Sequence, residues 1–185
     1  MNDVTLEAGD RAAALAEVKA MLRLVSVEED ALIAALAETA LGLAEQFIGQ
    51  ALIAREMRDV LPVSAAWQRL AYAPVRSIGA VAAVDFTVVG GAALASEAYA
   101  IDIDAAGDGW VRVIDAGGAG RVAVTFVAGL ADGWGAIPTP IRQGAVLLAA
   151  HLFTERDAAS AVPAAVTALW RPFRRMALGL RVRAC

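Results

Sequence analysis

The sequence predicts an α+β fold in which a helical core of about four helices carries an antiparallel β region inserted in its middle. Apolar residues recur at helical spacing near both ends, and short turn-bounded apolar segments fill the stretch from about residue 55 to residue 130. No long helical pattern interrupts those segments. That favours an antiparallel sheet or small barrel over a βαβ arrangement, whose parallel strands need a helical crossover.

From about Asp10 to Leu24, Leu15, Val18, Leu22 and Met21 recur among Glu17, Lys19 and Arg23, with Asp10 placed as a cap. A second start signal follows at Ser26, where Glu29 three residues on completes a capping box. Ile33, Leu36, Ala37, Ala40, Ala44 and Phe47 then mark an apolar stripe, and Gly49 ends a helix of about twenty residues. Strands are expected at Arg55 to Leu61, Trp67 to Tyr72, Val75 to Val89, Tyr99 to Ile103, Trp110 to Ile114 and Arg121 to Val127. The two-residue period is clearest where Val111 and Val113 flank Arg112, and where Val122, Val124 and Phe126 alternate with Ala123 and Thr125. Beyond Pro138, Thr139 is an N-cap with Pro140 at the first helical position, and Ile141, Ala145, Leu148 and Leu152 trace a face as far as Arg156. A final helix from about Ala161 carries Val166, Leu169, Trp170 and Phe173 until Pro172 kinks or ends it.

At 185 residues the chain is long enough to bury a core, and residues 1–175 read as one α+β domain followed by a basic tail at 176–185. Of its residues 59% are apolar but only 6% aromatic, so alanine supplies much of the apolar content and each such residue buries little. The start lacks the basic and apolar segments of an export signal, and no uninterrupted apolar run approaches membrane-spanning length, so the expectation is a soluble protein made inside the cell. One His and one Cys cannot build a catalytic triad or a multi-ligand metal site within a single copy, which puts binding ahead of catalysis. No catalytic residue, metal or cofactor is expected, and Cys185 reads as an incidental reduced thiol.

Charge points to where binding occurs. The last fifteen residues hold five arginines and no acid, although the whole chain carries a formal charge of −4. Arg171, Arg174 and Arg175 recur at helical spacing, and Arg181 and Arg183 alternate in an extended end. Such a segment suits carboxylates of a partner protein or phosphates of a nucleic acid, while a solvated helix end would equally accommodate the first three. Trp170 and Phe173 beside them serve either as interface anchors or as core. Residues 1–30 are the counterpart, with seven acids against three Arg or Lys, and a rotationally repeated ring can set such opposite patches between neighbours.

Other patterns carry less. Asp102, Asp104, Gly107 and Asp108 resemble a calcium loop, but Ala106 and Val113 stand where ligands are needed, so a hairpin loop is expected. The glycines around Gly107 and Gly117-Gly118 lack a phosphate-loop ending and read as turns. His151 and Glu155, one turn apart, are an incomplete metal or acid-base site. The loop with Leu130, Asp132 and Trp134 is a candidate subunit interface, the alternative being a local fold in which Trp134 covers the core.

The order of these features resembles the head-tail connector, or adaptor, proteins of long-tailed double-stranded DNA bacteriophages and of alphaproteobacterial gene transfer agents. It is carried by Glu28-Glu29-Asp30 before the Ile33 to Gly49 helix, by Leu70-Ala71-Tyr72-Ala73-Pro74-Val75, by Tyr99-Ala100-Ile101-Asp102, and by Val124 through Leu130. It continues through Ile137 to Gln143, His151 to Arg156, Pro163, and Leu169-Trp170-Arg171-Pro172-Phe173-Arg174, covering residues 25 to 175. The resemblance implies a non-enzymatic homo-oligomer, a dodecameric ring beneath the portal protein at the head-tail junction of a virion or gene-transfer-agent particle. It also implies a tail-side head-completion or stopper partner, a lumen that passes DNA without sequence-specific binding, and no membrane. On that likeness Trp170, Arg171, Phe173, Arg174, Arg175, Arg181 and Arg183 are the portal-docking residues. The alternative is a nucleic-acid-binding module that uses the same arginines.

Overall fold

Alanine-rich helix formers at the two ends of the chain and β-branched residues between them sort the molecule into two units. The computed structural model describes residues 4–84, 91–155 and 161–175. One unit draws on Met1–Gly49 and Pro138–Cys185, and the other is the continuous segment Gln50–Ile137.

The first unit is helical: α1 (Ala8–Leu22), α2 (Asp30–Ile48), α3 (Thr139–Thr154) and the short α4 (Ala164–Trp170), which runs into a 3₁₀ turn at Arg171–Phe173. The centre is α2, which packs against both α1 and α3 and buries Ile33, Ala34, Ala37, Ala40, Leu41, Ala44 and Ile48. In length and composition α2 matches a membrane-crossing helix. The seven residues it buries belong to the unit's own core, where small alanines let the neighbouring helices approach closely.

The helix ends depart from the sequence expectations in instructive ways. Glu7, not Asp10, precedes the first helical residue of α1, and Asp10 lies inside the first turn, where its charge still complements the helix dipole. The Ser26 capping box does not form. The Ser26 hydroxyl oxygen accepts the Glu28 N–H at 3.3 Å in a local turn, so α2 begins only at Asp30. Its other end is as expected, with Gly49 in the left-handed conformation at φ 76° and its N–H on the Glu45 carbonyl. Pro138 rather than Thr139 is the boundary residue of α3, which ends at Thr154, and α4 starts at Ala164 rather than Ala161. Arg156 lies outside the described residues.

Among the described residues, the second unit contains two three-stranded antiparallel sheets, not a barrel. In the first, β6 (Arg121–Ala128) lies between β1 (Arg55–Pro62) and β3 (Val75–Ala83). In the second, β5 (Gly109–Val113) lies between β2 (Gln68–Arg69) and β4 (Tyr99–Ile103). The expected Trp67 to Tyr72 strand shrinks to the two paired residues of β2, and the end of the Val75 to Val89 segment lies outside the described residues. Alternation holds on β5, where Val111 and Val113 are buried and Arg112 is exposed. It weakens on β6, where Ala123 is buried along with Val122, Val124 and Phe126, a small residue set between Val60 of β1 and Ala82 of β3. Val122, Val124 and Phe126 join Met57, Leu70, Val75 and Val81 in the core of this unit.

Candidate partner-docking site

The C-terminal candidate begins with a tryptophan that serves the fold. Trp170 is 2% exposed and its indole N–H donates to the Ile141 carbonyl at 3.0 Å. It lies tilted against Phe47, with ring centroids 5.8 Å apart. Gly144 on α3 makes the room: a Cβ there would stand 2.2 Å from the indole nitrogen. The sequence signal for this contact was an isolated glycine within an apolar helix face, which costs about 1 kcal/mol relative to alanine and so points to close packing.

Pro172 then ends the helix, since it has no N–H to continue the ladder, and the chain turns at Arg171–Phe173. It is tied back to the end of α2 by the Arg175 N–H, which donates to the Ile48 carbonyl at 2.8 Å. Arg174 sets its guanidinium over the Phe47 ring at 5.7 Å. Arg171 and Arg174 are exposed, while Phe173 and Arg175 are half-buried. The structure therefore roots the basic segment on a buried tryptophan and leaves Arg171 and Arg174 facing solvent. Arg181 and Arg183 lie outside the described residues.

The second candidate, the loop after β6, is held in place within its own unit. Leu130 and Ala131 donate to the carbonyls of Ala51 and Leu52 at 3.0 and 2.9 Å, and Ala54 returns a bond to Ala131 at 2.8 Å. Gly129, at φ 155°, lies so close to Ala54 that a Cβ would stand 2.2 Å from its nitrogen. The Arg76 guanidinium donates to the Gly129 carbonyl at 2.7 Å and pairs with Asp132. Trp134 is fully buried, which favours the reading in which it fills the core, whereas Leu130 and Asp132 remain exposed.

The calcium-like loop is a hairpin turn joining the paired strands β4 and β5. Asp104 spends its carboxylate on that turn, with Oδ1 accepting the N–H groups of Ala106 and Asp108 and Oδ2 accepting the Trp110 indole N–H, all at 2.9 Å. His151 and Glu155 share the backbone bond that closes α3, from the Glu155 N–H to the His151 carbonyl at 2.8 Å. Among the described residues, no group of three or more His, Cys, Asp or Glu is placed to hold a metal. One surface contact escaped the sequence reading: Arg112 stacks over the exposed Trp67 ring at 4.9 Å, joining β5 to the segment before β2.

The same fold occurs in solved particles. A chain from the virion of a native gene transfer agent (GTA) particle is 30% identical, with a TM-score of 0.71 and coverage of 96% of this chain and 97% of that one. The chain belongs to the head-tail connector (adaptor) family. Two further structures agree with this connector: a chain in the neck of an empty GTA particle computed with C6 symmetry, at 28% identity and TM-score 0.72, and one in the neck of a native GTA particle computed with C12 symmetry, at 30% and 0.70. Both alignments cover 96% of this chain and 97% of the other. No protein-family model and no curated protein matches it. The connector is a structural protein of a virion or gene-transfer-agent-like particle, and not an enzyme.

Proposed function

We propose that copies of this connector form a ring, dodecameric in number, at the head-tail junction of such a particle, between the portal protein and a tail-side head-completion or stopper protein. The observation that carries the reading is near end-to-end similarity, at 30% identity, to a chain of a GTA virion. DNA passes through the lumen without sequence-specific binding. The acidic balance of the chain, formally −4, suits that task because a uniformly basic lumen would grip the polyanion.

Portal docking is assigned to the basic C-terminal segment, with Trp170 as its buried root, Arg171, Phe173, Arg174 and Arg175 at its exit, and Arg181 and Arg183 in the stretch that reaches the portal. Arginine suits this role because its planar fork binds carboxylates with two hydrogen bonds at once. Leu130 and Asp132 are assigned to contact with a neighbouring subunit. Deleting residues 176–185 tests the docking assignment, because it spares every described contact of Trp170 and Arg175. The expected result is loss of portal co-purification with unchanged weak DNA affinity. Retained portal binding together with a lost, salt-sensitive DNA affinity would establish the nucleic-acid-binding alternative instead.

A further inference from the structure

The corner between α1 and α2 displays apolar side chains to water on a built scaffold. Met21 is 41% exposed, Val25 95%, Val27 73% and Leu32 48%. A flexible loop could show such residues incidentally, but this one is clasped. Lys19 Nζ meets the Asp30 carboxylate at 2.5 Å across the turn, the Asp30 N–H donates to the Val27 carbonyl at 3.2 Å, and Arg23 closes α1 in the left-handed conformation at φ 56°. Exposed Glu28 lies on the same corner with half-buried Glu29, so the apolar surface has acids on its rim, with Arg23 the single exposed cation in the described turn of residues 23–30.

The charges of the helical unit are segregated to match. Residues 1–49 hold nine acids and three Arg or Lys, whereas residues 138–185 hold seven Arg and two acids. The acidic corner sits at the Asp30 end of α2, while Phe47, Arg174 and the Arg175 tether mark its other end. Seventeen helical rises separate Asp30 from Phe47, about 26 Å, which keeps the corner apart from the basic exit of its own chain. Complementary patches at opposite ends of one body meet only between copies, and a head-to-tail contact of that kind repeats around a closed ring.

We infer that Met21, Val25, Val27 and Leu32, rimmed by Glu28 and Glu29, are the surface on which the next copy of this chain seats its Arg171–Arg174 exit. The inference rests on the ring proposed above and divides the C-terminal segment: its Arg171–Arg174 exit lies against a neighbouring subunit, and the residues beyond it go on to the portal. Apolar burial supplies most of the affinity, at roughly 25 cal/mol per Å², because exposed ion pairs contribute little by themselves. The charges set the direction of the contact and exclude corner-to-corner pairing.

Cysteine cross-linking in purified particles tests it. In a Cys185→Ser parent, Val27→Cys and Arg171→Cys are introduced together and the particles are treated with a short bismaleimide. Both positions are exposed, and circular dichroism of the purified variants against the parent checks the fold. The expected result is a ladder of covalent multiples of this chain that neither single-cysteine variant produces. Three outcomes would overturn the inference while leaving the ring reading intact: monomer only from particles that contain the chain, an intrachain link, or a link to a different protein. Absence of the parent chain from particles would overturn the ring reading itself.

Discussion

The two units of this connector distribute charge differently along the sequence. In the β unit, basic side chains find partners close by: Arg76 pairs with Asp132, Arg69 lies 3.6 Å from Asp108, and Arg112 stacks on Trp67. In the helical unit acid gathers at one end of the sequence and arginine at the other, although Arg11 pairs with Glu38, Lys19 with Asp30 and Arg142 with Glu17. A surface whose charges are internally matched is suited to passive structure, whereas a segregated one has a direction and so can orient a neighbour. On the proposed ring, the polar assembly contacts fall mainly on the helices.

It is broken most severely by removing what holds the basic exit to the helices. Trp170→Ala deletes a buried indole, its bond to Ile141 and its contact with Phe47, and is expected to cost about 3–5 kcal/mol in urea unfolding. A loss below about 1 kcal/mol would mean that the exit is not anchored there. In the β unit the corresponding stress is Gly129→Ala, which forces a side chain against the Ala54 backbone at a positive φ. Overpacking of this kind is expected to lower stability by about 1–3 kcal/mol, and Gly117→Ala, with open space around it, by less. The smallest change sharpens the claim about matched charges. Asp132→Ala removes a mostly exposed partner of Arg76, so a double-mutant cycle with Arg76→Ala is expected to return a coupling below about 1 kcal/mol.

Much of the fold was legible because patterning and punctuation agreed. The stripe from Ile33 to Phe47 ended at a glycine that adopts the left-handed conformation, and Tyr99–Ile103 paired as a strand with Gly109–Val113. The misreadings arose where local hydrogen bonds compete. Ser26 offers its oxygen to the turn before α2 instead of to the helix, and of the Trp67 to Tyr72 segment only Gln68 and Arg69 enter the ladder with β5. For the candidate site, composition located the basic segment but could not separate anchor from contact. Trp170 and Trp134 look like interface aromatics in a sequence and are buried in the fold.

By itself the sequence determined the element types, the helical frame with its β insertion, the lack of residues for metal or triad chemistry, and the acidic and basic ends. Those properties follow from side-chain size, spacing and charge, which each residue carries wherever it lies. Only the tertiary structure decided that Gly144 opens a seat for Trp170, that Asp132 meets Arg76, and that the α1–α2 corner stays uncovered while Val18 and Ile33 beside it are buried. Each of these depends on which distant segment arrives at a given face, and long-range packing sets that, not the residue's own propensity.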